Sequence, residues 1–131
     1  MSYSYVGCFI GLDKDIYPNP MVRAVASCVS FHSRNKVTPE DVYEYIAKNM
    51  MGFDVKKMYK ECIKHFGIDA RFHYKDNASA KDITKIIDKK IPIIYNGTKV
   101  IVGYSDNTGI IKVKFENSEN YVDYVKGGIC W

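Results

Sequence analysis

The stretch Asn19-Pro-Met-Val-Arg-Ala-Val-Ala-Ser-Cys-Val-Ser-Phe-His32 begins with a side chain able to accept from the backbone N–H groups that follow it, then a proline where no N–H is needed. That pair starts a helix. Its polar residues Arg23, Ser27 and Ser30, continued by Arg34, fall on one narrow stripe, and the remainder is apolar. A helix wetted along a single stripe is buried on its other sides. The spacing therefore predicts a central helix to about His32, with the rest of the chain packed around it.

Toward the C-terminus, Thr38-Pro-Glu-Asp41 caps and opens a second helix. Asp54 opens a third, whose apolar set Val55, Met58, Tyr59, Cys62, Ile63 and Phe66 keeps helical spacing throughout. Gly67 ends it in the left-handed position. Residues 68–74 alternate as a strand, and Ser79 caps a fourth helix bearing Ile83, Ile86 and Ile87. Beyond it the pattern changes. Ile91-Pro-Ile-Ile-Tyr95, Val100-Ile-Val-Gly-Tyr104 and Ile110-Ile-Lys-Val-Lys-Phe115 read as strands, the last two joined by the hairpin connection Asp106-Asn-Thr-Gly109. Residues 121–125 form a last short strand or turn before Gly127-Gly-Ile-Cys-Trp131. Toward the N-terminus, a turn-rich passage over residues 13–20 follows an apolar stretch over residues 5–12. A helical half followed by an antiparallel sheet half is an α+β architecture, expected as one domain over residues 1–131.

Composition excludes several classes of function. Of the 131 residues, 47% are apolar and 26% charged, which suits a folded domain rather than a disordered segment. No apolar run is long enough for a membrane span, and the first residues lack the basic region and cleavage site of a secretory signal. The cysteines Cys8, Cys28, Cys62 and Cys130 show no C-x-x-C pair and no histidine at metal spacing, so neither a metal nor another cofactor is expected. Cys8 and Cys130, near the two ends, are the pair that could meet; reduced thiols in a cytoplasmic protein are the favoured reading. The net charge is +4, with lysines at helical spacing on solvent-facing positions: Lys56, Lys57, Lys60 and Lys64, then Lys81, Lys85, Lys89 and Lys90. A nucleic-acid surface usually brings denser basic residues and a pI above about 9, whereas this pI is about 8.8.

The ordered series Val37-Thr-Pro-Glu-Asp41, His65-Phe-Gly-Ile68, Lys90-Ile-Pro-Ile-Ile94 and Thr98-Lys-Val-Ile-Val-Gly-Tyr-Ser105 resembles the papain-like peptidase domain at the front of bacteriocin-exporting ABC transporters, and its free-standing relatives. The likeness covers roughly residues 15 to 131. It implies a papain-like fold in which a buried helix carries a cysteine at its N-terminus, where the helix dipole and a neighbouring imidazolium hold a thiolate. The chain departs from that pattern at the chemistry. Counting back from Thr38-Pro39, the nucleophile position falls at Met21, or one residue to either side. The general-base position, two residues before Val100-Ile-Val-Gly-Tyr104, holds Thr98. Neither side chain exchanges a proton near neutral pH. The orienting acid falls at Glu116 or Asn117.

The resemblance thus implies a catalytically inactive relative, a pseudo-peptidase, that keeps the cleft and binds a protein or an unfolded peptide there, as a viral or mobile-element accessory protein would. An extended peptide adds readily to a sheet edge. The candidate cleft residues are Tyr17, Asn19, Tyr95 and Tyr104 around Met21 and Thr98; the plainer alternative is that these tyrosines only pack at the rim. Two other readings remain open. One is a working cysteine peptidase with a displaced nucleophile, either Cys28, four residues before His32 on the same helix, or Cys8. The other is nucleic-acid binding through the lysine-bearing helix faces, with affinity falling steeply in salt. His65, near a helix C-terminus, and His73, on the wet side of a strand with Arg71, stand apart from any metal-ligand spacing. The oligomeric state, and whether residues 129–131 pack on their own domain or on a second copy, are left open by the sequence.

Overall fold

Asn19 caps the central helix as its chemistry requires: its Oδ1 accepts from the Val22 N–H at 3.2 Å, with Pro20 in the first helical position. The computed structural model describes residues 2–49 and 54–131. Along the chain these form β1 (Ser2–Tyr5), α1 (Pro20–His32), α2 (Pro39–Asn49), α3 (Val55–Phe66), β2 (Tyr74–Lys75), α4 (Ala80–Asp88), β3 (Ile93–Tyr95), β4 (Lys99–Asn107), β5 (Ile110–Phe115), β6 (Tyr121–Asp123) and β7 (Ile129–Cys130). All strand pairs are antiparallel, in the order β2-β7-β3-β4-β5-β6, with β1 pairing a further stretch of β4. The fold is α+β.

The expected caps are made. Thr38 Oγ1 accepts from the Asp41 N–H at 3.1 Å, and Asp54 Oδ1 from the Lys57 N–H at 2.8 Å. Ser79 and Asp82 form a reciprocal capping box at the start of α4. Gly67 stands at φ +63°, the left-handed stop that its lack of a Cβ makes inexpensive. One expectation about α1 fails. Ser27 and Ser30 do not lie on a wet stripe but are buried, at 3% and 1% exposure. Ser30 is satisfied there because its hydroxyl donates to the Val37 carbonyl at 2.7 Å, tying the turn after α1 back onto the helix.

The sheet divides the core in two. Ile94, Val100 and Cys130 face α1, α2 and α3. Ile93, Ile101 and Ile129 face α4. The helices therefore cover both faces rather than one, which places α4 apart from the helical half that precedes it. A bulge in β4 explains why Ile101 and Tyr104, three residues apart, share the α4 face: an extra residue at Val102 inverts the alternation.

Two strands differ from expectation. The stretch over residues 68–74 alternates half-buried Ile68, Ala70 and Phe72 with exposed Asp69, Arg71 and His73, but it pairs only at its end, as β2. Phe72 turns into the helical core, its ring 5.3 Å from that of Tyr59. The alternation reported one-sided burial, not a strand partner. At the N-terminus the strand is β1, before the apolar stretch; of residues 6–12, Val6 continues the pairing by donating to the Val102 carbonyl at 2.7 Å.

The C-terminal residues pack on their own domain. β7 lies between β2 and β3, its Ile129 and Cys130 buried on opposite faces of the sheet at 1% and 5% exposure. Trp131 and His73 then exchange two backbone hydrogen bonds, at 2.9 and 3.0 Å. Cys8 is exposed, Cys28, Cys62 and Cys130 are buried, and all four thiols are free, so Cys8 and Cys130 do not meet. Among the described residues, no helix is long and apolar enough to cross a membrane, and no cluster of three metal-ligating side chains occurs.

Candidate functional site

The N-terminus of α1 meets the β3–β4 turn. Asn96 and Gly97 both have positive φ, +50° and +76°, and the turn closes when the Thr98 N–H donates to the Tyr95 carbonyl at 3.3 Å. Asn-Gly is the pair that such hairpin turns favour. Asn96 also anchors the turn to the C-terminal segment: its N–H donates to the Gly128 carbonyl at 2.8 Å, and its Oδ1 accepts from the Gly128 N–H at 3.1 Å. The result carries Gly97 over Met21. A Cβ at Gly97 would stand 3.9 Å from Met21 Cε and 3.4 Å from Val55 Cγ2. Met21 and the turn holding Thr98 are thus neighbours.

Beside them opens a groove of about 690 Å³. Met21, Val55, Phe72, Ile94 and Ile129 give it an apolar wall, and Asp54, Asp76, Lys56 and Asn96 a polar rim. Cys130 also lines it, but burial pushes that thiol up to about 12, so it stays protonated at neutral pH. Tyr74 flanks the groove on β2 and donates its hydroxyl to Asp76 at 2.7 Å; that bond to a carboxylate raises the phenol's pKa. β2 ends the sheet on this side, and among the described residues only β7 pairs with it.

Thr98 is exposed on the turn. Glu116 sits where β5 ends, its N–H donating to the Val100 carbonyl at 2.9 Å and its carboxyl against Gly11. Burial raises its pKa, and the nearby Arg23 charge opposes that shift. For an acid whose folded pKa exceeds its unfolded value, ionisation costs stability above the unfolded pKa and nothing well below it. Glu116→Gln is therefore expected to raise stability at pH 7, with the gain vanishing as pH falls below about 4; urea melts at the two pH values measure it.

The four cleft candidates lie elsewhere. Tyr17 packs edge-on against Tyr43, with centroids 4.9 Å apart, and its carbonyl accepts from Arg23 Nη1 at 2.7 Å. Asn19 is occupied as the cap of α1, and its N–H donates to the Tyr43 hydroxyl at 3.2 Å. Tyr95 packs on Phe115 and Tyr124, and its hydroxyl donates to the Val125 carbonyl at 2.7 Å. Tyr104 is buried on the α4 face, its hydroxyl donating to Asp88 at 2.6 Å; that bond pushes the phenol up to about 12. None of the four lines the groove. Of the residues that do, Phe72, Tyr74 and Cys130 carry no motif that marks them in the sequence. The Asn96-Gly97 dipeptide is the readable signal for the turn that assembles them.

The two cysteines that the alternative reading singles out are also located. Cys28 is 1% exposed, and burial drives its pKa well above the ordinary thiol value, with Cys130 and Glu116 adding to the rise. His32 stacks its ring edgewise against Phe31 and Tyr59; its Nε2 is buried without a hydrogen-bond partner, and burial lowers its pKa. No hydrogen bond joins Cys28 to His32 among the described residues. Cys8 borders a shallow hollow with His32, Arg34 and Asn35. Compared with protein-family models, with curated proteins and with solved structures, the chain matches none of them.

Proposed function

We propose that this protein is a papain-like domain without catalysis, which holds an extended segment of another protein in the groove beside Met21. The observation that carries the reading is the meeting of Met21 with the Gly97–Thr98 turn over an apolar groove. This is where a papain-like enzyme would join its thiol and imidazole, and the side chains present there do neither's work. The edge of β2 that no strand pairs among the described residues offers backbone groups to an added strand, and the apolar wall offers pockets for alternate side chains. Two carboxylates against one lysine at the rim favour a segment carrying basic as well as apolar residues.

An array of extended ten-residue peptides, apolar with interspersed lysine or arginine, tests this. Binding above that of acidic peptides is expected, weakened at least about tenfold by Met21→Glu, which seats a charge on the apolar wall. Met21 is half-buried in the first turn of α1, where an acid suits the helix dipole, so the fold should survive the change. Binding that Met21→Glu leaves unaltered would remove the groove from the account.

A second reading has one observation in its favour, the hollow shared by exposed Cys8 and His32. If the imidazole activates that thiol, iodoacetamide should label Cys8 faster than a free thiol at pH 7, and His32→Ala should slow it. Labelling at the free-thiol rate in both proteins rejects this alternative.

A further inference from the structure

A second pocket, of about 460 Å³, lies between the C-terminal half of α4, the end of α1 and the segment that leads into β2. Its volume falls within the roughly 300–1,000 Å³ of small-molecule sites. Lys85 on α4 and Lys89, the residue that caps its C-terminus, four apart, both border it, and Arg71 faces it from the segment before β2. Among the described residues, none of these three cations has an ion-pair partner. Of the two carboxylates on the wall, Asp82 is already held by Lys75 at 3.0 Å and by the Ser79 cap, which leaves Asp69 as the only opposing charge not engaged in this way. Like charges gathered in a hollow repel one another, and an anion entering it relieves that repulsion.

The pocket offers more than charge. His32, whose Nε2 is buried and unpartnered, lines it. So do Trp131 and His73, whose rings stack at 5.3 Å with their planes 22° apart and whose backbones are hydrogen-bonded to each other. An aromatic pair held rigid in this way is a surface for a flat ring. We propose that this pocket binds a small phosphate-bearing molecule with a planar ring, the phosphates on Lys85, Lys89 and Arg71 and the ring against the Trp131–His73 pair.

Trp131 is the single tryptophan of the chain, so its fluorescence reports the site directly. The full chain is titrated with ADP, with pyrophosphate and with adenosine. Saturable quenching by ADP is expected, with weaker binding of the other two. Removing one lysine–phosphate hydrogen bond should weaken binding about tenfold, so Lys85→Glu with Lys89→Glu should weaken ADP roughly a hundredfold. The same double change to alanine guards against a disturbed α4 and should weaken ADP in the same direction. Lys60→Glu with Lys64→Glu, which alters the net charge equally on α3, should leave ADP binding unchanged. No saturable signal at millimolar ADP, or an equal weakening from the α3 pair, overturns the proposal; pyrophosphate binding as tightly as ADP overturns its ring half.

Discussion

A chain ended at Gly128 is expected to lose its cooperative fold at room temperature, although only three residues are removed. Those residues sit inside the sheet, not at its rim. β7 pairs with β3 on one side and β2 on the other, so its loss strips the backbone partners from both and separates β2 from the sheet. Ile129 leaves the α4-side core and Cys130 the helix-side core, opening both at once. Burial of one such aliphatic side chain contributes about 1.5–3 kcal/mol, and a domain of this size holds only about 5–15 kcal/mol in total. The graded form is Ile129→Ala, expected to cost about 2–5 kcal/mol in urea denaturation through the cavity it leaves. A truncated protein that melted within a few degrees of the full chain would show that β7 is not placed between β3 and β2.

The second large effect is chemical. Met21→Cys puts a thiol in the first turn of α1, where the helix N-terminus lowers thiol pKa values. Two of the native buried thiols, Cys62 and Cys130, are pushed up to about 12, so roughly one in 10⁵ is ionised at pH 7. The new cysteine should therefore react with iodoacetamide at pH 7 at least about a hundredfold faster than either, read by mass spectrometry of the labelled peptides. Adding Thr98→His should quicken it further and give the rate a dependence on pH near the imidazole pKa, because the Gly97 turn lies over residue 21. A Met21→Cys rate that Thr98→His does not change at any pH would break the papain-like reading, whatever the protein binds.

Much of the local structure was legible in the residues themselves. Asn19-Pro20, Thr38, Asp54, Ser79 and Gly67 mark helix ends through bonds between near neighbours in the chain, so the starts of α1, α3 and α4 and the end of α3 follow from short-range chemistry alone. The hairpin at Thr108-Gly109, both with positive φ, is local in the same sense.

What tertiary structure alone decided is everything that depends on which surfaces meet. The alternation over residues 68–74 looked like a strand, yet a strand needs a neighbour, and the chain supplies one only where the distant C-terminal segment comes alongside. Tyr17, Tyr95 and Tyr104 looked alike as rim aromatics. Only packing gave the hydroxyls of Tyr95 and Tyr104 their partners, 30 and 16 residues away, and set the ring of Tyr17 against Tyr43. The sequence by itself determined where helices start, where α3 stops and that no thiol stands at the head of α1, because those are properties of adjacent residues. Only the folded chain brought Gly97 over Met21 and gathered Arg71, Lys85 and Lys89 beside Trp131, because side chains from segments far apart in sequence share a surface only once the sheet has set their distances.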